Sequence, residues 1–305
     1  MIVRSKFIQL ITLSALVVVA TVIAACSSEE EATIEKAEAS GKLVSSDWML
    51  ENLDNEDVVV VDLRKEEDYA AGHIPGAIQL TPKAVFQQED ENGVAGMLPA
   101  AAHIATALSE LGIEPSDTVV FYDSNSNLWA SRALWAMDVY GHSDSKLIDG
   151  SWNYWSANEL KTSTDVPEIT ASNYAFTAAP DLSIIAGWEE VLESVDDPSK
   201  IVCDTRSPEE FSGKDVRAAA GGHIPESSNV NWNRSVNEQG EFLPAAELRV
   251  IYEGEGIQGD KVVFTLCQTA VRATHSWFVL QELLGYETVK VYDGSWTEWG
   301  NRTDV

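Results

Sequence analysis

The chain has 305 residues, which is long enough for two domains that each bury a core of their own. Its 49 acidic residues outnumber 20 basic ones, and the formal net charge at pH 7 is −29. A surface this acidic argues against nucleic acids and anionic lipid headgroups as partners. Its 3 cysteines are too few for a disulfide framework.

The N-terminal residues 1–25 resemble a bacterial lipoprotein signal peptide. Basic residues precede an apolar run, residues 10–25, which contains no acidic residue and ends in small residues beside Cys26. An uncleaved membrane anchor is the alternative, because the run is near the length that spans a bilayer. Both interpretations place the rest of the chain outside the cytoplasm. We expect a lipid on Cys26 to hold the protein at the cell envelope, with residues 26–42 as a solvated tether.

An internal repeat indicates two copies of one domain. Four segments of the first half recur in the same order in the second half: Asp-x-Arg at 62–64 and 204–206, Gly-His-Ile-Pro at 72–75 and 222–225, Leu-Pro-Ala-Ala at 98–101 and 243–246, and Asp-Gly-Ser-Trp at 149–152 and 293–296. We therefore predict domains at 43–160 and 181–305. The polar stretch 161–180 between them is interpreted as a linker.

Each copy is predicted to be an α/β domain, a parallel sheet flanked by helices. The apolar runs 58–61 and 200–203 do not alternate with polar residues, which is typical of strands covered on both faces. Helical patterns separate such runs, and Ser207 begins one of them as an N-cap before a first-turn proline and glutamates. Cys203 lies inside a strand and is expected to pack as a small apolar residue.

Cys267 is the candidate nucleophile of the second copy. It follows an apolar strand, residues 261–266, and precedes the short loop 268–271, Arg272 and a helical stretch. In a strand–loop–helix turn the backbone N–H groups point inward at an anion. These amides, the helix dipole and Arg272 can hold a cysteine as thiolate. Residues 261–281 contain no Asp or Glu, so we expect a positive local field around the cysteine.

The two copies differ at this loop. When the Asp-Gly-Ser-Trp segments are aligned, the copies are offset by 144 residues. This offset places Asp123 opposite Cys267, and Leu128 opposite Arg272. The first copy therefore lacks both the nucleophile and the cation, which makes Cys267 and Arg272 the predicted catalytic pair.

Other residues occur in both copies and are more plausibly structural. The histidines of the Gly-His-Ile-Pro segments, His73 and His223, are interpreted as turn and packing residues. Arg206 has the counterpart Arg64. This sharing weakens a substrate-binding role for Arg206 but does not exclude one.

Together these segments resemble the rhodanese family, and specifically its tandem-domain sulfurtransferases. The matching pieces are the opening segment 43–48, both Gly-His-Ile-Pro segments, Ser131-Arg132 with Trp135, the Cys267 loop and the closing segment 292–299. Their order and spacing are specific, and the likeness covers roughly residues 43–305. The resemblance implies two tandem rhodanese-like domains, of which the first is catalytically silent and the second carries a persulfide-forming cysteine.

The resemblance also implies a chemistry, transfer of sulfur from thiosulfate. The Cys267 thiolate would take the outer sulfur, release sulfite, and pass the sulfur to cyanide or a thiol acceptor. No metal or organic cofactor is implied, since the cysteine itself is the covalent carrier. The expected substrate-binding residues are Gln268, Thr269, Ala270, Val271, Arg272 and Arg206.

Three alternatives remain beside this function. Members that act on 3-mercaptopyruvate typically carry an arginine where this chain has Glu210, whose carboxylate is expected to repel that substrate. A persulfide carrier or binding module without turnover is the second alternative. A cysteine phosphatase is disfavoured, because the loop between Cys267 and Arg272 is one residue shorter than that class uses. Many thiosulfate-specific members have two basic residues at the positions of Gln268 and Thr269, and Arg272 is expected to replace them.

Overall fold

The computed structural model describes residues 41–304, so the predicted signal peptide, Cys26 and nearly all of the tether lie outside the described residues. The strands of the first domain are β1 Leu43–Val44, β2 Val58–Asp62, β3 Ile78–Gln79, β4 Gln88–Glu89, β5 Ala95–Met97, β6 Thr118–Tyr122 and β7 Ser145–Ile148. Its helices are α1 Ser46–Glu51, α2 Glu66–Ala71, α3 Pro82–Phe86, α4 Ala101–Glu110, α5 Leu128–Val139 and α6 Ser151–Ala157. Strands β4 and β5 form an antiparallel hairpin outside the main sheet.

The second domain repeats this series. Its strands are β8 Ile185–Ala186, β9 Lys200–Asp204, β10 Ser228–Asn229, β11 Val262–Leu266 and β12 Val289–Tyr292. Its helices are α7 Trp188–Leu192, α8 Pro208–Phe211, α9 Ala245–Glu253, α10 Val271–Phe278 and α11 Ser295–Trp299, with 3-10 turns at Leu182–Ile184 and Trp232–Ser235 and a π-helical turn at Val279–Leu283.

The two main sheets have the same topology. The first has the order β1-β7-β6-β2-β3 and the second the order β8-β12-β11-β9-β10, and every neighbouring pair in them is parallel. Parallel strands need a crossover between them, and the helices supply it on both faces. The predicted α/β architecture of two tandem copies is confirmed.

Burial on both faces explains why the strand sequences do not alternate. Within β2, Val61 enters a core that contains residues of both domains, whereas Val60 joins a separate cluster around Trp155. The shared core lies where α5 packs against α10. Each fully buried large apolar side chain there contributes about 1.5–3 kcal/mol relative to an exposed one. The two domains are therefore joined through apolar packing as well as through the chain.

Both Gly-His-Ile-Pro histidines have a structural role, as the sequence predicts. The His73 ring stacks on Tyr69 at 3.9 Å and the His223 ring stacks on Phe211 at 3.9 Å. In each case Nδ1 contacts the backbone carbonyl of a residue in the preceding helix, at 2.9 Å. These rings fix the turn that leads into the next strand.

Residues 161–180 connect the domains without helix or strand. They run along the first domain, where Ser163 forms a bridge with His73 and the Tyr174 hydroxyl bonds His142 Nδ1 at 2.8 Å. In the part of the chain that the structure describes, none of the helices combines the length and apolar character that crossing a bilayer requires.

Candidate active site

Cys267 directly follows β11, the central strand of the second sheet. The carboxyl ends of parallel strands are where α/β folds bind ligands. Residues 268–270 form a short loop, and α10 begins at Val271. The cysteine is only 1% exposed. A small substrate therefore fits this position better than a bulky one.

The Asp-Gly-Ser-Trp segment clamps this loop from the other side. Ser295 Oγ accepts a hydrogen bond from Cys267 N at 3.2 Å and donates to Tyr292 O at 2.8 Å. The backbone N–H of Trp296 donates to Cys267 O at 2.9 Å, and that of Thr297 to Gln268 O at 3.0 Å. This repeated segment is thus a structural support for the loop in front of it.

Ala270 has a strained backbone conformation in this loop. Its φ is 61°, in the left-handed region that favours glycine, and it is the residue from which α10 starts. For a residue with a Cβ that backbone costs roughly 1–2 kcal/mol. Strain of this kind persists only where the surroundings hold it, as they commonly do at active sites.

The equivalent turn of the first domain surrounds a carboxylate. Its Asp123 lies at the position of Cys267 and, like it, bonds through its backbone N–H to the hydroxyl of the following Asp-Gly-Ser-Trp serine, Ser151, at 2.8 Å. The Asp123 carboxylate accepts four backbone N–H bonds, from Asn125 at 2.8 Å, Asn127 at 3.0 Å, Trp129 at 2.7 Å and Ala130 at 3.2 Å. Burial raises the pKa of this carboxyl, and the four amide donors oppose that rise. The turn is therefore an anion cradle that the first domain fills with its own side chain.

One alignment inferred from the sequence needs correction. The helices after the two loops begin at Leu128 and Val271, which are 143 residues apart rather than 144. The loop of the first domain is thus one residue longer, and Trp129 rather than Leu128 is the counterpart of Arg272. The conclusion that the first domain lacks the cation is unaffected.

Arg272 lies in a buried ion pair with Glu210. Its Nη1 and Nη2 donate to the two carboxylate oxygens at 2.6 and 2.9 Å, and the Glu210 side chain is 1% exposed. Burial raises the pKa of Glu210, but the hydrogen bond from Arg272, the Ser207 amide and the nearby positive charges outweigh it and lower the pKa to about 2. Burial likewise lowers the pKa of Arg272, while Glu210 and the Cys267 thiol raise it to a value above the usual one. Arg272 therefore interacts with both the Glu210 carboxylate and the Cys267 thiol.

This pairing corrects two expectations. The positive field around Cys267 is partly balanced by Glu210, a charge that lies outside the acid-free window 261–281. Glu210 was expected to repel a substrate carboxylate, yet its oxygens are turned to Arg272 and its side chain is buried. Its negative charge is therefore already compensated.

A second cation was not anticipated from the sequence. Arg217 Nη1 lies 3.4 Å from Glu210 Oε1, and its guanidinium is half exposed. The spacing from the Asp-x-Arg arginine to the Gly-His-Ile-Pro glycine is longer in the second copy, so Arg217 belongs to an insertion found in the second copy alone. Gln268 Nε2 donates to Arg217 O at 3.2 Å, which joins the insertion to the loop. Comparing the two spacings would have revealed it.

Arg206 does not occupy a substrate-facing position. It is 1% exposed, and its Nε and Nη2 atoms bond the Asp204 carboxylate, with Nη2 also donating to Gly222 O at 2.7 Å. Its guanidinium lies 4.0 Å from the Trp296 ring centroid. Arg64 makes the same set of contacts with Asp62, Gly72 and Trp152. The structure therefore does not support Arg206 as a substrate ligand; its contacts with Asp204, Gly222 and Trp296 give it a structural role.

The other loop residues have distinct surroundings. Val271 and Ala270 are buried, and Gln268 and Thr269 are half-buried. Thr269 O accepts a hydrogen bond of 2.8 Å from Gln87 Nε2, a side chain of the first domain. The structure thus brings Cys267, Arg272 and the loop 268–271 together. Arg206 is instead buried in contacts of its own.

Cys203 is separate from this site, as predicted. It lies in β9 and is fully buried. Burial and the charge of Asp204 raise the pKa of its thiol, so it stays protonated and unreactive. Within residues 41–304 no group of three or more His, Cys, Asp or Glu side chains is placed to hold a metal ion.

Comparisons with known proteins identify the class. The rhodanese-like domain model matches residues 45–158 and 188–302. A relative from Saccharopolyspora erythraea, provisionally named a thiosulfate sulfurtransferase, is 38% identical over 86% of this chain and 94% of its own. The sulfur carrier protein TtuD of Thermus thermophilus is 38% identical over 86% of this chain and 95% of its own. The chain belongs to the rhodanese family, with two tandem domains.

Solved structures show the same fold. SseA from Escherichia coli, described as a 3-mercaptopyruvate sulfotransferase, superposes with a TM-score of 0.72 and 28% identity, over 84% of this chain and 99% of that one. The anaerobic ergothioneine biosynthesis enzyme of Chlorobium limicola superposes with a TM-score of 0.76 and 24% identity, over 88% of this chain and 70% of that one. The second likeness concerns the fold alone.

Proposed function

We propose that this protein is a thiosulfate sulfurtransferase that carries the transferred sulfur as a persulfide on Cys267. One observation carries the proposal. The thiol of Cys267 stands where the twin loop holds a carboxylate with four backbone N–H groups. A turn of this kind favours the negative charge of a thiolate and of a persulfide.

The reaction balances without an external oxidant. The Cys267 thiolate attacks the outer sulfur of thiosulfate, the sulfur–sulfur bond of the donor breaks, and sulfite leaves with the bonding electron pair. Cyanide, or a thiolate, then attacks the terminal sulfur of the persulfide, and the Cys267 thiolate leaves. Each step is a displacement at sulfur like thiol–disulfide exchange.

Arg272 and Arg217 are the cations available to an anionic donor. Arg272 interacts with the thiol and with Glu210, so it orients the nucleophile while its charge is shared. Arg217 lies 3.4 Å from Glu210 and pairs with Asp215 at 2.6 Å, but its side chain is half exposed, so it can still meet the incoming sulfonate end of thiosulfate. Glu210 pairs closely with Arg272, whereas the close partner of Arg217 is Asp215.

Intact-mass measurement after thiosulfate exposure is the direct test. We expect the protein from residue 42 onward to gain one sulfur atom, located on Cys267, and to lose it as thiocyanate on addition of cyanide. Cys267→Ser is expected to gain none and to form no thiocyanate. Sulfur transfer by Cys267→Ser would refute the proposal.

Use of 3-mercaptopyruvate is a second candidate. It is supported by the 28% identity to SseA and by the ion pairing that compensates the charge of Glu210. The ratio of kcat/KM for thiosulfate to that for mercaptopyruvate decides between the two donors. A larger value for mercaptopyruvate would reverse our assignment.

A persulfide carrier is the third candidate, supported by the 38% identity to the sulfur carrier TtuD. A carrier would form the Cys267 persulfide as described but release it slowly to small acceptors. Rapid single-turnover release to cyanide would exclude this role as the main one.

We also propose that the protein is exported and lipid-anchored at the cell envelope. Residues 1–25 and Cys26, which lie outside the described residues, support this through sequence alone. Labelling of growing cells with a fatty-acid analogue should mark the wild type and leave Cys26→Ser unmarked. Equal labelling of the two would exclude lipidation at this residue.

A further inference from the structure

The catalytic loop is covered by a hairpin from the other domain. Strands β4 and β5 belong to the first domain, yet the residues around them contact the second. Gln87, just before β4, donates from Nε2 to Thr269 O at 2.8 Å. This carbonyl belongs to the middle of the loop between Cys267 and α10. A side chain of the first domain therefore bonds directly to the turn on which Cys267 sits.

Gly96 in β5 brings the same hairpin against the same loop residue. Its φ is +92°, and a Cβ placed on it would lie 2.7 Å from Thr269 Cβ. Real Cβ atoms do not approach this closely, so only glycine permits the observed contact. The loop is thus held by a hydrogen bond on one side and by close packing on the other.

The hairpin is itself fixed by a buried network. Arg132 is completely buried and donates to Asp293 Oδ1 at 2.6 Å and to Gly96 O at 3.1 Å. Leu98 N donates to the other oxygen of Asp293 at 2.7 Å. Asp293 begins the Asp-Gly-Ser-Trp segment that clamps the Cys267 loop from below. The upper and lower supports of the loop therefore meet at one carboxylate.

A segment of the second domain packs on the Asp123 loop in the same way. It serves as an internal control for the contacts at the Cys267 loop. Gly240 has a φ of +82°, and a Cβ there would lie 3.0 Å from Ser126 Oγ. Phe242 N donates to Asp149 Oδ1 at 2.9 Å, as Leu98 N does to Asp293. The two covers are alike, but only one of them lies on a loop with a nucleophile.

We propose that Gln87, with Gly96, is a positioning residue for the Cys267 loop, so that the catalytically silent domain sets the reactivity of the second. The Gln87 bond fixes the orientation of the Thr269 peptide, and with it that of the loop on which Cys267 sits. Without it the peptide can rotate, because no other hydrogen bond to Thr269 O is found among residues 41–304. The proposal rests on the proposed sulfurtransferase function for its turnover readout only.

Gln87→Glu is the sharpest variant, since it keeps the shape of the side chain and removes the donor. Gln79→Glu is its matched control, because Gln79 Nε2 makes the same type of bond to a backbone carbonyl, Arg64 O, at 3.0 Å inside the silent domain. Both should lose similar stability. Only Gln87→Glu should lower kcat, by about tenfold, as loop misplacement does.

A second readout separates positioning from mere destabilisation. At high pH, where an accessible thiol is ionised in any environment, alkylation of Cys267 by iodoacetamide reports access to a site that is 1% exposed. Gln87→Glu should react several-fold faster than wild type while turning over more slowly, and Gln79→Glu should match wild type in both. Gly96→Ala should shift both readouts further in the same directions, and Gly240→Ala should shift neither.

The outcomes are distinguishable from failure of the proposed function. If thiosulfate adds no sulfur to wild-type Cys267, the sulfurtransferase assignment fails, while the alkylation comparison still tests the loop. Equal alkylation rates and equal kcat for Gln87→Glu and Gln79→Glu would overturn the positioning role. Should Gly96→Ala fail to fold, the glutamine pair carries the test alone.

Discussion

The Asp123 loop and the Cys267 loop occupy equivalent positions in the two domains but carry different side chains. In the first domain the Asp123 carboxylate satisfies four backbone N–H groups of its own turn, and in the second the much less polar Cys267 thiol stands in its place. The neighbouring residues are alike in both: Ser151 and Ser295 accept the backbone N–H of Asp123 and Cys267, and the buried arginines Arg64 and Arg206 bond Gly72 O and Gly222 O. The first loop thus holds an anion of its own, whereas the second loop, which is one residue shorter, carries a thiol at the same place. A loop that carries a carboxylate has no nucleophilic sulfur, whereas one that carries a cysteine can take up a sulfur atom by reaction.

Replacing the occupant gives the largest expected effect. Cys267→Asp should abolish thiocyanate formation, because a carboxylate cannot become a persulfide. It should nonetheless be at least as stable as Cys267→Ser, since a carboxylate can accept the loop amides as Asp123 does. Urea unfolding of the two variants measures the difference. If Cys267→Asp is less stable by more than about 1 kcal/mol, the second loop is not a carboxylate cradle.

Removing the cation tests the next difference between the loops, Arg272 against Trp129. Arg272→Ala should raise the KM for thiosulfate about tenfold, since a charge-assisted contact of roughly 1.4 kcal/mol is lost. It should also lower the free energy of unfolding by about 3 kcal/mol, because Glu210 stays buried without its closest cation and keeps only the longer contact with Arg217.

A double variant separates these two effects. Arg272→Ala with Glu210→Gln removes the unpaired charge, so the stability should largely return while the KM stays high. A KM that returns together with the stability would show that Arg272 has no contact with the donor. An unchanged KM in Arg272→Ala alone would place the anion elsewhere.

The fold follows from local patterns that are visible in the sequence. Apolar runs such as 58–61 and 200–203 predict strands buried on both faces, and the repeated segments predict two copies of one sheet. The candidate nucleophile can also be recognised, because Cys267 sits between a strand and a helix and has no cysteine counterpart in the first copy. These inferences depend on neighbours in the chain.

The surroundings of Cys267 depend on pairs of residues that are far apart in the chain, so they could not be predicted from the sequence. Glu210 meets Arg272 across 62 residues, and Gln87 meets Thr269 across 182 residues and a domain boundary. An acidic residue in α8 says nothing by itself about the charge of a loop in the same domain. The fixed offset of 144 failed for a related reason, since one inserted residue in a loop shifts a helix without changing its sequence pattern.

The ion pair at Glu210 should show in the pH dependence of stability, and the first domain offers no equivalent. Its pKa is lowered from 4.5 to about 2 in the folded protein, so its contribution is present above about pH 4.5 and is lost as the pH falls towards 2. The size of this contribution is about 3 kcal/mol. The difference in unfolding free energy between wild type and Glu210→Gln, measured from pH 5 to about pH 2, should shrink accordingly. A constant difference across that range would mean that the carboxylate is not paired.

The smallest effect on kcat is expected from substitution of Cys203. This substitution tests whether sulfur transfer requires a cysteine in the loop or can use any cysteine of the chain. Cys203 lies in β9, fully buried beside Asp204, and its raised pKa keeps it protonated. Cys203→Ser should leave kcat within a few-fold of wild type and cost about 1–3 kcal/mol of stability, because a hydroxyl replaces an apolar thiol in the core. Cys203→Ala, which buries no polar atom, should keep the same kcat with a smaller loss. A large fall in kcat for both variants would make Cys203 a second redox thiol, and the contrast between the two cradles would then no longer account for the chemistry.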